Sequence, residues 1–244
     1  MNLVSRAAKH QTLVLLPGLL CDSTVWEHQI ESLSDTADCV VADYGACDSI
    51  EAMAEAVLST QLPDTFALVG HSMGGRVALE IVRRAPLRVA RLALLDTGYQ
   101  ARPETEAGVQ ERSQRLALLD RARTEGMREM GTQWAVGMVH PAHVDTPTFE
   151  AILRMIERNS VQRFAHQIEA LLRRPDGTSL LAHIDCPTLL LCGREDRWSP
   201  LARHTDMREA IRGAHLEVIE HAGHMTTMEQ PESVTRALRT WLAA

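Results

Sequence analysis

Six short runs of the chain are continuously apolar and alternate with longer stretches of helical spacing. They are Thr12 to Leu16, Cys39 to Ala42, Phe66 to Val69, Leu92 to Leu95, Thr188 to Cys192 and Leu216 to Ile219. A strand with one wet face alternates apolar and polar residues, whereas a strand covered on both faces does not. The runs therefore predict a parallel sheet buried between helices. Parallel neighbours need a crossover, and the intervening stretches supply it: "EAMAEAVLST" (Glu51 to Thr60) and "GGRVALEIVRRA" (Gly74 to Ala85) are helical in period. In the second, Val77, Ala78, Ile81, Val82 and Ala85 share a face, and Pro86 drives Ala85 out of the helical region and ends it. Right-handed crossovers then give an α/β fold with a doubly wound, mostly parallel sheet. Ligands of such sheets sit at the carboxyl ends of the strands, so functional residues are expected just after them.

One region breaks the rhythm. From about Gly98 to Leu181 there is no convincing strand but several helical patterns. In "SVQRFAHQIEALLRR", Val161, Phe164, Ala165, Ile168, Leu171 and Leu172 form a stripe, and Thr146-Pro147 makes a start signal before "TFEAILRMIERN". The expected organisation is a core of residues 1–97 and 182–244, with a helical cap, 98–181, inserted over the carboxyl edge of the sheet. With 244 residues, 45% of them hydrophobic, the chain has enough apolar material for one such core.

Several function classes are disfavoured. The net charge is -7 and the basic residues are scattered, which leaves no footprint for nucleic acid. The first twenty residues lack a charged leader with a cleavage site, and the run Leu13 to Leu20 is too short to cross a membrane and is broken by Pro17-Gly18. A cytoplasmic protein without membrane partners is expected. Cys21, Cys39, Cys47, Cys186 and Cys192 are odd in number and form no C-x-x-C pair, so they read as reduced thiols rather than a disulfide framework or a zinc site.

Gly70-His71-Ser72-Met73-Gly74 matches G-x-S-x-G. A chain of this length yields about 0.08 such matches by chance, so the pattern alone is only suggestive. Its setting adds to it, because it follows a predicted buried strand and opens a helix. That sharp turn would expose the serine hydroxyl above the sheet and place the Met73 N–H at a helix N-terminus, where it can stabilise an oxyanion. A bare helix cap would account for Ser72 but not for the flanking glycines. A serine needs a base, and the base an orienting carboxylate. His224, in "IEHAGHMTTMEQPE", follows the last apolar run, and Ala222-Gly223 gives it a flexible approach. His221 and His224 could also hold a metal, but no H-E-x-x-H pattern or third ligand accompanies them, and none is expected. Asp196, in "LLLCGREDRWSP", is the favoured acid; Asp96, which also ends a strand, is its rival, and either could be a loop-capping aspartate. The order Ser72, Asp196, His224 is serine, acid, histidine. After the first strand, "LVLLPGLLCDSTVW" turns at Pro17-Gly18 and offers the Leu19 N–H as a second oxyanion donor.

With these motifs, "LVLLPGLLCDSTVW", "LVGHSMGG", "LLLCGREDRWSP" and "GHMTTMEQPE", the chain resembles the α/β-hydrolase superfamily over nearly its whole length. It looks most like the cap-bearing esterase branch that includes pimeloyl-acyl-carrier-protein methyl ester esterase and relatives of proline iminopeptidases. The chain departs from that pattern at Pro17-Gly18, where many members carry His-Gly, and in the shortened loop "ADYGACDSIEAM" after the second strand. The expected activity is hydrolysis of a carboxylic ester or thioester of a small, largely apolar acyl group, with no cofactor and no metal. The rival expectation is C–C bond hydrolysis, lyase or cofactor-free oxygen chemistry on the same scaffold, with the histidine as base. Leu20, Tyr99, Trp134, Trp198 and Met225 are expected to wall the substrate pocket. An acyl-carrier or coenzyme A moiety is a candidate partner for arginines of the cap, although acidic residues are as frequent there. The chain is expected to be a monomer or a small homo-oligomer.

Overall fold

The computed structural model describes residues 11–244. The leader reading at the N-terminus and the first ten residues of the expected core therefore lie, in part or whole, outside the described residues. Strand β1 (Gln11–Leu16) leads through helix α1 (Glu27–Leu33) to β2 (Ala37–Val41), and α2 (Ile50–Leu58) leads to β3 (Phe66–His71). Helix α3 (Met73–Arg84) crosses to β4 (Val89–Leu95). The chain then runs through five helices, α4 (Glu106–Glu125), α5 (Met127–Ala135), α6 (Pro147–Glu157), α7 (Val161–Leu172) and α8 (Thr178–Leu181), before β5 (Thr188–Gly193). It closes with α9 (Leu201–Ala210), β6 (His215–Ile219), α10 (Thr226–Glu229) and α11 (Pro231–Ala243).

The six strands form one sheet in the order β2-β1-β3-β4-β5-β6, and every pairing is parallel. The strand order reverses direction at β1, so right-handed crossovers place α1 on one face and α2 and α3 on the other. The contacts agree, with α1 packed on α11 and α2 on α3. This is the α/β-hydrolase fold.

The continuous apolar runs hold their meaning in the middle of the sheet and lose it at the edges. Every residue of β3 and β5 is buried, whereas β2 and β6 are only partly covered and Val40 is 42% exposed. An edge strand has a neighbour on one side only, and the covering helices do not reach past it, so apolar residues there need not be interior.

Local signals place the helix ends. The Thr146 hydroxyl accepts from the Phe149 N–H at 3.4 Å at the start of α6, with Pro147 in the first turn. Ala85 leaves the helical region at φ -141° before Pro86, ending α3. At the start of α3 the first turn lies against the end of β1: a Cβ on Gly74 would collide with the carbonyl of Leu16, so only glycine lets helix and strand approach this closely.

Candidate active site

Ser72 sits between β3 and α3 at φ 54° and ψ -115°, a conformation that costs a non-glycine residue on the order of 1–3 kcal/mol. The surrounding bonds hold it there. Its N–H donates to the Leu95 carbonyl at 2.9 Å, and its own carbonyl accepts from the Thr97 hydroxyl at 2.6 Å and the Gly75 N–H at 3.0 Å. The Ser72 side chain makes no capping bond to α3, which removes the helix-cap account of this residue. Its Oγ instead lies 2.7 Å from His224 Nε2.

His224 is 5% exposed and lies on the loop after β6. Its Nδ1 is 2.8 Å from Asp196 Oδ2. A carboxylate only accepts, so Nδ1 carries the proton and Nε2 is left to accept from the Ser72 hydroxyl. Both ring nitrogens are thus engaged, and the ring is not free for a metal. Asp196, after β5, is held through its other oxygen, which accepts from the N–H groups of Trp198 at 2.8 Å and Ser199 at 2.9 Å. Burial pushes its carboxyl up, but the interaction with the His224 ring and these hydrogen bonds outweigh it and hold the carboxyl below the usual range.

Asp96 is the other strand-end carboxylate, and its environment is opposite. It is fully buried, accepts from the Gly193 N–H at 3.0 Å, meets the Thr226 hydroxyl, and lies 3.6 Å from His71 Nε2. Burial, joined by the nearby charge of Asp196, raises its carboxyl well above the ordinary value. Of two neighbouring buried carboxyls, Asp196 is the one that carries the charge.

Met73 and Leu19, the expected oxyanion donors, lie after β3 and β1. Met73 opens α3, where the first N–H groups have no partner within the helix, and Leu19 follows the turn after β1. Both residues line the cavity that contains Ser72. The Tyr44 hydroxyl donates to the Pro17 carbonyl at 3.1 Å, so the loop that carries Pro17-Gly18 is anchored from the segment after β2.

That cavity, of about 710 Å³, lies between the strand ends and the helices of 106–172. Of the residues expected in the pocket wall, Trp134, Trp198 and Met225 line this cavity. Trp134 and Trp198 stack with ring centroids 5.1 Å apart, and Trp198 lies 5.1 Å from the His224 ring. Leu20 and Tyr99 do not line it, contrary to expectation. Leu20 is fully buried at φ 61°, where its N–H donates to Gln167 Oε1 at 2.9 Å and its carbonyl accepts from Asn159 Nδ2 at 3.0 Å. These bonds tie the loop after β1 to α7 and to the end of α6. Tyr99 is drawn aside because its carbonyl accepts from the Gly177 N–H at 2.7 Å.

Several supporting residues have no sequence signature of their own. The Glu229 carboxylate, 4% exposed, accepts from the N–H groups of Gly223 and Met225 at 3.0 Å and His140 at 2.6 Å, and so shapes the loop that presents His224. The His224 N–H in turn donates to the Met138 carbonyl at 2.6 Å. A carboxylate in "TTMEQPE" reads as surface until the fold bends three N–H groups around it. Arg76 and Arg203, also in the cavity wall, were equally unmarked.

Two buried histidines beside the site must stay neutral. His204, on α9, accepts from the Thr97 N–H through Nε2 at 3.2 Å and faces the Pro200 carbonyl with Nδ1 at 3.5 Å. His71 donates from Nε2 to the His224 carbonyl at 2.8 Å. Burial, foremost, lowers each ring to about 4. These folded values lie below the ordinary 6.5, so the unfolded chain binds more protons between pH 6.5 and pH 4. The stability they confer is complete above pH 6.5 and is lost as pH falls through 4, on the order of 3 kcal/mol per ring from the shift to about 4. Asp96, raised rather than lowered, acts in the opposite sense. The urea midpoint is therefore expected to fall between about pH 7 and pH 4.5, and His204→Gln should flatten that fall. Parallel midpoint curves for the two proteins would contradict it.

A family model described as the alpha/beta hydrolase family matches residues 13–237. The chain is 28% identical over 232 residues to the pimeloyl-[acyl-carrier protein] methyl ester esterase of Nitrosomonas europaea, covering 90% of this chain and 91% of that one. It is 26% identical over 211 residues to the 2-succinyl-6-hydroxy-2,4-cyclohexadiene-1-carboxylate synthase of Klebsiella pneumoniae, covering 86% of this chain and 79% of the relative. Among solved structures, a thermophilic esterase from Thermogutta terrifontis with malate bound superposes with a TM-score of 0.83 at 31% identity, over 96% of this chain and 91% of that one.

Proposed function

The chain belongs to the α/β-hydrolase family, and from that premise we propose that it is a serine hydrolase cleaving a carboxylic ester or thioester through an acyl-enzyme intermediate. The observation that carries this reading is the unbroken line from Ser72 Oγ to His224 Nε2, at 2.7 Å, and from His224 Nδ1 to Asp196 Oδ2, at 2.8 Å. Ser72 Oγ attacks the substrate carbonyl as its proton passes to His224. Asp196 holds the imidazole tautomer and stabilises the imidazolium. The Leu19 and Met73 N–H groups receive the oxyanion, and His224 then protonates the leaving alcohol or thiol. Water, deprotonated by the same ring, attacks the acyl-serine and releases the acid. Every proton and leaving group has a place without a cofactor.

We read the helices between β4 and β5 as a cap, because residues of α4, α5 and α7 close the cavity over the strand ends. The apolar stretch of the wall, with the stacked Trp134 and Trp198, suits the hydrocarbon part of an acyl substrate. Support for an ester also comes from the Nitrosomonas and Thermogutta esterases to which the chain is similar. The Klebsiella synthase favours a second reading, in which His224 acts as base on a carbon acid and Ser72 only binds. Among the described residues no helix is long and apolar enough to cross a membrane.

A fluorophosphonate is expected to add its mass once, at Ser72, and to abolish hydrolysis of p-nitrophenyl esters in proportion. Turnover that survives complete labelling would overturn the acyl-enzyme reading, and so would a protein that resists the reagent while hydrolysing the ester.

A further inference from the structure

From the arrangement of Arg76 on α3 and Arg203 on α9 on either side of Gly98, we infer a built carboxylate subsite beside Ser72, so that the preferred substrate is an ester bearing a free carboxylate a few bonds from the scissile carbonyl. The inference rests on the esterase reading and gives it a substrate class.

Five arginines line the cavity, Arg76, Arg115, Arg121, Arg174 and Arg203, against a single carboxylate, Glu111. That carboxylate is already taken. Arg174 grips it in a fork at 2.6 and 2.9 Å, and Arg115 Nε reaches it at 2.9 Å. Arg121 lies 3.6 Å from Glu125. Arg76 and Arg203 have no carboxylate within ion-pair distance among the described residues. Each guanidinium is steadied by one backbone oxygen, Arg76 by Gln100 at 2.8 Å and Arg203 by Trp198 at 3.3 Å, which leaves the other N–H groups free to donate.

The two converge on one place. A Cβ on Gly98 would lie 3.0 Å from Arg76 Nη2 and 3.0 Å from Arg203 Nη1, so both cations approach across the missing side chain. Like charges held together and partly out of water repel, and buried charges are stable when paired. The guanidinium of Arg76 is depressed well below its usual range, first by burial and then by the charges of Arg174, Arg203 and Arg115. An anion between the two groups relieves both penalties. Two forked donors suit a planar carboxylate.

Position restricts the ligand further. Arg76 lies one helical turn beyond Ser72, and Gly98 follows Thr97, whose hydroxyl donates to the Ser72 carbonyl. The anion therefore sits close to the reacting carbon. The phosphate of a pantetheine arm is separated from its thioester by a long chain and does not match this spacing.

The test compares kcat/KM for matched esters. Monomethyl glutarate is set against the neutral ester in which an isopropyl group replaces the carboxylate, and O-acetylglycolate against isobutyl acetate. The charge then lies on the acid side in one pair and on the alcohol side in the other. The native protein is expected to prefer the anionic member of at least one pair by roughly ten- to a hundredfold, with glutarate as a competitive inhibitor. Arg76→Met, Arg203→Met and Gly98→Ala should each shrink that ratio, which is internal to each protein and does not depend on the fraction folded. No preference in either pair overturns the inference, as does inorganic phosphate inhibiting as well as glutarate. Ser72-dependent hydrolysis without preference would sink the carboxylate subsite alone. Glutarate binding to the native protein that Arg76→Met abolishes, seen by calorimetry while the native protein turns over none of the esters, would instead sink the esterase reading and leave the subsite standing.

Discussion

Ser72→Ala is expected to lower kcat for a methyl or p-nitrophenyl ester by roughly 10⁴ to 10⁶, with a residue of rate left by substrate binding and the oxyanion donors. The size follows from what the hydroxyl does: without it no acyl-serine forms, and His224 can only assist a water molecule that the site did not evolve to place. The backbone is not the cause, since alanine meets the same cost as serine at φ 54° and the Leu95 and Thr97 bonds to the main chain persist. Thermal unfolding of the variant should be close to that of the native protein. A variant that keeps most of its activity on the true substrate would replace covalent catalysis by chemistry in which His224 is the base.

Asp196→Asn should cost about 10⁴ in kcat, while Asp96→Asn should cost less than about tenfold. The asymmetry comes from the hydrogen bonds. Asp196 Oδ1 accepts from the Trp198 and Ser199 N–H groups, so an asparagine there keeps its oxygen on that side and turns its NH₂ toward His224 Nδ1. The ring must then accept at Nδ1 and carry its proton on Nε2, where it can no longer take the proton of Ser72. Asp96 keeps one oxygen on the Gly193 N–H, and its carboxyl is already pushed toward the neutral form that an amide imitates. Steady-state kinetics on the two variants decide between the acids, and a reversed order of effects would make Asp96 the orienting group.

Much of this site can be found in the sequence because each part follows a strand. The apolar runs before Ser72 and Asp196 identify buried strands and the run before His224 a partly covered edge strand, and in a parallel sheet all strand ends of one kind lie on one edge. Asp96 was the instructive ambiguity, since it too ends a strand. Sequence order cannot say which of two neighbouring carboxylates turns toward a histidine, because that depends on one peptide's rotation and on which N–H groups surround each oxygen.

The pocket was less legible for the same reason. Leu20 and Tyr99 stand beside residues of the site in the chain, yet their backbones are drawn elsewhere by Gln167, Asn159 and Gly177. Arg76 reads as the polar face of an amphipathic helix, and Arg203 as a surface residue of another. Neither has meaning until β4 brings Gly98 between them.

Hydrophobic periodicity and turn chemistry act over a few residues, and they were sufficient by themselves to determine the sheet, the crossovers and the candidate serine, acids and histidine at the strand ends. The choice of Asp196 over Asp96, the Glu229 brace under His224 and the pairing of two arginines across a glycine were decided only by the tertiary structure. Each depends on groups far apart in the chain meeting in a low-dielectric interior, where burial and hydrogen-bond direction determine which charge survives.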